Sequence, residues 1–288
     1  MSENVMKDII SAARKLLRNW PVIALQVILF DILLAACYLF VSTREATAVG
    51  LLLTVFLALL AIVLFLVIQG VAVSYPWKES KVAKLFLDAL RSAGKLAVVT
   101  LPILLIGGLL AYLFLKIDWS PGASELNETM SRAGDRTADP FPWKSFFVTA
   151  IQYLLYAFAL PLVAIHYWIV AMRESLPRTL AATGRVLRAA FSPTSVLIYL
   201  LGLLAFGVVP YFVFFTRTPI NQAWVEIIVL GLRLALGFLF VLFGWTLTLG
   251  ALSERMVATP QIVPAATPAT TPPPPPATEE PTAAAPAE

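Results

Sequence analysis

Six long apolar runs alternate with polar connections along the chain, at about 20–41, 46–73, 96–115, 145–172, 194–215 and 223–252. Each is long enough to cross a hydrocarbon core of ~30 Å at ~1.5 Å per residue of α-helix. A backbone facing lipid must satisfy its own hydrogen bonds, and a helix does so within one segment. The pattern therefore predicts an all-α polytopic membrane protein with six transmembrane helices in a domain spanning 20–255. The second, fourth and sixth runs exceed the hydrocarbon thickness and must tilt or protrude. Four basic residues precede the first run and no small-x-small cleavage site follows it, so it reads as an uncleaved anchor.

The connections differ in charge. Lys7, Arg14, Lys15 and Arg18 precede the first run; Lys78, Lys81, Lys84, Arg91 and Lys95 lie between the second and third; Arg173, Arg178, Arg185 and Arg188 lie between the fourth and fifth; Arg255 follows the sixth. These 14 basic residues face six on the other side, with Arg233 inside a span. Basic loops stay in the cytoplasm, so both ends of the domain are expected there, in a bacterial cytoplasmic membrane. Each basic connection is also amphipathic. Ile9, Ala13, Leu16 and Leu17 oppose Lys7, Arg14 and Arg18 in the segment 1–19; Leu85, Phe86 and Leu90 oppose Lys81, Lys84 and Arg91; Leu180, Leu187 and Phe191 oppose Arg178, Arg185 and Arg188. Such segments suit the surface of an anionic inner leaflet, where each Lys or Arg contributes ~1 kcal/mol. The expected partners are thus the bilayer and its anionic headgroups, contacted through Arg18, Lys81, Lys84, Arg91, Arg185 and Arg188.

Shared landmarks suggest an internal repeat. Leu17-Arg18, Leu90-Arg91 and Leu187-Arg188 each precede an odd-numbered span, and Tyr38, Tyr112 and Tyr211 lie near the ends of those spans. The unit would be an amphipathic interfacial helix plus a helical hairpin, repeated three times. This layout, over about residues 5–255, resembles bacterial six-span proteins that include the membrane domain attached to some glycerophosphodiester phosphodiesterases. The chain carries no phosphodiesterase domain, so the resemblance implies a fold and no catalytic residue.

Composition narrows the remaining choices. The mean hydropathy is +0.84 and 13% of residues are charged, against about 25% in a soluble domain. The pI of about 9.2 is accounted for by the basic membrane-surface segments, so no nucleic-acid partner is expected. Cys37 is the one cysteine and His166 the one histidine, which excludes an intrachain disulfide and a Cys/His zinc site. No cofactor or metal is expected. The polar segment 116–144 contains turn signals and an Asn127-Glu128-Thr129 sequon, read as chance in a bacterial chain. Residues 256–288 are rich in Pro, Ala and Thr, with five consecutive prolines at 272–276. They form an expected disordered cytoplasmic tail, either a solvated spacer or a docking segment for a soluble partner.

Ionisable residues inside spans are costly and mark candidate sites. Counting from Trp20 and Trp224 as opposite interfaces, Asp31 and Arg233 fall near one level, ~16 Å and ~14 Å deep. They are expected to form a buried ion pair between the first and sixth spans, serving either as a register lock or as a gate. Glu226 lies on the same face as Arg233, nearer the outer surface. His166 and Gln69 are candidate interhelical hydrogen-bonding groups, with a proton-relay role the alternative for His166. Pro102, Pro161 and Pro210 each free a carbonyl and can kink a span. No HExxH, Walker loop or GxSxG occurs, and no enzymatic activity is expected. The function expected is a non-catalytic membrane scaffold, regulator or lipid-associated factor. The alternative is a small-molecule or ion transporter or channel with a polar path near Asp31 and Arg233.

Overall fold

The computed structural model describes residues 2–43, 47–78, 81–116, 143–216 and 222–258. Of these, 93% are helical and none is in a strand. Six helices, or helix pairs joined without a break, are long and apolar enough to cross a membrane. The protein is therefore an all-α, membrane-embedded, multi-pass chain. The tail from 259 onward and residues 117–142 of the expected outer loop lie outside the described residues.

In chain order, α1 (Ser2–Arg18) turns at Asn19 into the first span, α2 (Trp20–Ser42), which returns as α3 (Ala48–Ser74). The second basic connection does not form a separate surface helix. It is the first part of α4 (Val82–Lys116), a continuous helix of 35 residues: 90–96 holds no proline, and the buried face runs on through Ala89, Ala93 and Leu96 past Gly94. The fourth span comprises α5 (Trp143–Tyr153), a π-helical segment (Leu154–Ala159) and α6 (Leu160–Arg173). The third basic connection is broken at Ala182 into α7 (Leu176–Ala181) and α8 (Thr183–Ala190). The fifth span comprises α9 (Pro193–Leu203), a second π segment (Leu204–Val208) and α10 (Val209–Phe215), and the sixth is α11 (Ala223–Ala258).

Proline explains both π segments. Pro161 and Pro210 follow them by two residues. A proline cannot donate to the carbonyl four residues back and its ring presses on that carbonyl. Widening the preceding turn relieves the clash: the amides of Leu160 and Val209 bond five residues back, to Leu155 and Leu204. The carbonyl orphaned by Pro161 belongs to Ala157, and the buried Tyr199 hydroxyl donates to it at 2.8 Å. Pro102 sits inside α4 without such a segment.

Helix α1, α2, α3, α6 and α11 converge at the end of the bundle that carries the basic connections, hereafter the basic end. Every residue of 66–76 is buried, as are most of 162–172 and 242–253. Hydrogen bonds cross between the helices here. Gln26 Nε2 donates to the Ile68 carbonyl (3.2 Å), Trp245 Nε1 to Gln69 Oε1 (2.8 Å), Ser253 Oγ to the Val73 carbonyl (2.8 Å) and Trp168 Nε1 to Thr100 Oγ1 (2.8 Å). Gly250 faces Tyr75 so closely that any Cβ at 250 would overlap the Tyr75 ring and hydroxyl. Glycine is required there for α11 to approach the turn after α3.

Candidate functional site

Helix α1 is not simply two-faced. At 100° per residue its positions divide into three stripes. Val5, Ala12 and Leu16 are buried against the bundle, with Ile9 half-buried beside them. Met6, Ile10 and Leu17, continuing to Trp20, form a second apolar stripe that stays exposed. Lys7, Ser11, Arg14, Lys15 and Arg18 form the third. The sequence pattern shows an apolar and a basic side; the structure divides the apolar side into one stripe docked on protein and one left exposed.

Several contacts fix the docked stripe. Lys15 Nζ donates to the Pro76 carbonyl at 3.0 Å. It also lies 2.6 Å from Glu254 Oε1 of α11, as an ion pair whose angles fall outside hydrogen-bond geometry. The Tyr75 hydroxyl reaches the Ala12 carbonyl at 3.5 Å. Burial, reinforced by the Glu254 carboxylate, raises the Tyr75 pKa far above the ordinary phenol range, so Tyr75 is a neutral donor. Asp8 lies near the same junction. Burial raises its pKa, Arg255 opposes that rise and Glu254 adds to it, and its Oδ2 is buried with no hydrogen-bond partner among the described residues.

Between α1 and the turn after α3 lies a half-open groove of about 580 Å³. Lys7, Arg14, Lys15, Arg18 and Lys78 contribute five cationic side chains to its lining, and Ser11 and Asn19 contribute neutral polar groups. Among the described residues no acidic side chain lines it. Lys15 is engaged by Glu254, and Lys78 by Asp88 at 2.8 Å. Among the described residues, Arg14 and Arg18 have no such counter-ion. They are spaced i, i+4 on one helix, where like charges repel.

The other expected contacts spread along the same end. Lys81, Lys84 and Arg91 are exposed at the start of α4; Arg188 is exposed on α8, and Arg185 on the same helix is held by Glu174 at 2.7 Å. Lys78 and Arg173 lie 5.3 and 5.7 Å from the Trp77 ring centre, so one indole takes two cations.

The intramembrane candidates separate. Gln69 is fully buried as the Trp245 acceptor. His166 is fully buried on α6: Nδ1 donates to the Leu162 carbonyl at 2.8 Å, leaving Nε2 to accept from Ser195 Oγ at 3.3 Å. Ser192 Oγ donates to Ser195 Oγ at 2.9 Å. This chain ties α6 to the start of α9. Glu226 is exposed in the first turn of α11, where a negative charge suits the helix N-terminus.

The expected burial of the Asp31–Arg233 pair requires correction. Helices α2 and α11 do run side by side, with the Phe30 and Phe238 rings edge to face at 6.2 Å. Asp31 follows Phe30 by one residue and Arg233 precedes Phe238 by five, so the two lie about four residues, ~6 Å, apart along the antiparallel helices. Arg233 is half-buried, but Asp31 is exposed. The buried stripe of α2 is Val22, Gln26, Leu29 and Ala36, and Asp31 lies on the opposite side of the helix from it. The expected common level is thus off by about one helical turn, and rotation about the helix axis turns Asp31 outward.

Comparison with family models, with curated proteins and with solved structures gives no match to this chain. The groove was missed at the sequence level because Lys78 and Tyr75 join it only through tertiary packing. The signal available was the run of Lys7, Ser11, Arg14 and Arg18 at helical spacing.

Proposed function

We propose that this chain is a non-catalytic scaffold or regulator of a bacterial cytoplasmic membrane that works through association with anionic lipid at its basic end. The single observation that carries this reading is the gathering of exposed cations from three separate connections at that one end, beside an apolar stripe on α1 that stays exposed among the described residues. Both described ends of the chain meet there through Lys15 and Glu254, and the excess of Lys and Arg at that end supports a cytoplasmic orientation. The three basic connections would act as repeated feet on the inner leaflet. The six-span layout is in keeping with the resemblance drawn from the sequence, which brings no chemistry with it.

The transporter reading draws less support. A void between α1, α2 and α11, lined by Leu16, Ile23, Gln26, Leu242, Phe243 and Thr246, has no volume open to water. The residue expected to mark a path, Asp31, faces away from the packed helices. The test is native mass spectrometry of the intact protein released from bilayers of equal zwitterionic and anionic phospholipid. Anionic lipid is expected to be enriched several-fold among retained molecules; retention in the bilayer ratio would sink the proposal. Solute or ion flux in proteoliposomes that depends on Arg233 would favour the transporter.

A further inference from the structure

We infer that the groove between α1 and the turn at 75–78 is a binding site for one phosphate-bearing anion, the headgroup of an anionic phospholipid, clamped by Arg14 and Arg18. The inference rests on the proposed lipid association and makes it specific: one bound molecule at one place, beyond a diffuse attraction to the leaflet.

Charge is the first argument. Among the described residues the groove is lined by five cations and no acid; Lys15 and Lys78 are neutralised by Glu254 and Asp88. Arg14 and Arg18 lie one helical turn apart on the groove wall without a counter-ion among the described residues. Two guanidiniums at i, i+4 repel when empty and attract a shared dianionic or diester group strongly, since each offers paired N–H donors that match phosphate oxygens. Ser11 and Asn19 add neutral hydrogen-bonding side chains; Asn19 caps no amide of α2 with its side chain. The alternative use of Arg18, complementing the C-terminal dipole of α1, is worth ~0.3–1 kcal/mol and does not account for the cavity beside it.

Depth is the second argument, and it selects the source. The groove lies where the first span begins, at Asn19-Trp20, and where the second ends, at Ser74-Tyr75. Trp20 is exposed there, as an indole at a membrane interface should be. The groove is thus at headgroup level. Its Ile10 wall belongs to the exposed stripe of Met6, Ile10, Leu17 and Trp20, which continues out of the groove as an apolar surface for acyl chains. A soluble phosphate would use the cations and leave this stripe idle; a phospholipid uses both. The 580 Å³ volume accommodates a phosphate with a small polar substituent.

The experiment uses the full chain purified in a non-ionic detergent. Retained lipid is counted by native mass spectrometry with added phosphatidylglycerol, with phosphatidylcholine, and with inorganic phosphate or glycerol phosphate as competitor. Wild type should retain one tightly held phosphatidylglycerol, and Arg14→Gln/Arg18→Gln should weaken it about tenfold or more. Arg14→Lys/Arg18→Lys should recover only part of this, because charge returns without the paired donors. Arg91→Gln/Arg188→Gln, at exposed positions outside the groove, should leave the tight lipid in place. On wild type, a photoactivatable phosphatidylglycerol should label residues 7–19, which keeps the test valid if the double variant does not fold. Equal loss in both pairs of variants would overturn the groove while leaving a general lipid association standing; no anionic preference in any protein would remove both. Displacement of the lipid by millimolar glycerol phosphate would keep the phosphate chemistry but assign the site to a soluble ligand, overturning the lipid source.

Discussion

Helix α3 changes character at Leu66. From there to Pro76 every residue is buried, whereas among 48–65 only Thr54 and Leu57 are. Helix α11 changes in the mirror sense: Gly237 is the one buried residue before Leu242, and from 248 to 253 all are buried. Yet the buried halves of these helices are the less apolar in sequence: 48–65 carries one polar side chain, Thr54, whereas 66–76 carries Gln69, Ser74 and Tyr75. The difference lies in the polar residues. Gln26, Gln69, Thr100, His166, Ser195 and Ser253 all make their side-chain hydrogen bonds in the half nearer the basic end. Lipid is as apolar as leucine, so hydrophobicity does not drive spans together within a bilayer; close packing and interhelical hydrogen bonds do. The far half has few of either and presents its leucines and phenylalanines to lipid.

That contrast can be broken in several ways. The largest effect belongs to the packed half. Leu249→Ala, at a fully buried position, should lower stability by ~2–5 kcal/mol. Leu232→Ala, exposed on the same helix, should change it by no more than ~0.5 kcal/mol. Reversible unfolding in mixed micelles measures both, and equal effects would erase the distinction between the halves.

Next comes the boundary at the π segment. Tyr199→Phe leaves the part-buried Ala157 carbonyl unpaired, at ~1–3 kcal/mol. Pro161→Ala supplies an amide that can reach that carbonyl. The double variant should therefore lose less than the sum of the singles, and strict additivity would show that proline does not create the need for Tyr199.

A smaller effect, dependent on pH, concerns the α1 junction. The folded-state pKa of Asp8 is raised from 3.8 by burial, with Glu254 reinforcing and Arg255 opposing. The native state then binds the proton more tightly than the unfolded state, so ionisation destabilises. Below pH about 3.8 wild type and Asp8→Asn should melt alike. As pH rises through the raised pKa, wild type should lose stability relative to the variant, and the gap should then level off. Thermal melting from pH 3 to 7 reads this; a gap that widens toward acid would reverse the sign and refute the assignment.

The smallest effect should be the coupling between Asp31 and Arg233. With Asp31 exposed and the pair about one turn out of register, a double-mutant cycle of Asp31→Asn and Arg233→Ala should give below ~0.5 kcal/mol. A larger value would mean that the two side chains meet within the bilayer and that the far half contains a polar lock of its own.

Sequence alone determined the membrane class, the six spans and the asymmetry of charge, because these depend only on the length and composition of contiguous segments. The basic stripe of α1 was equally legible, since Lys7, Arg14 and Arg18 recur at helical spacing. The division of its apolar side was not: that Leu16 is buried and Leu17 exposed depends on where α11 lies. Nor could hydropathy tell the buried Leu249 from the exposed Leu232, or show that Asp31 turns away from the bundle. Those outcomes follow from rotation of each helix about its axis, which is set by the residues that pack and hydrogen-bond across to a neighbour. The groove has the same origin. The cations of α1 are local facts, but Lys78, Tyr75 and Pro76 come to them only when the end of α3 docks on that helix, and this contact between distant parts of the chain is what turns a charged stripe into a cavity.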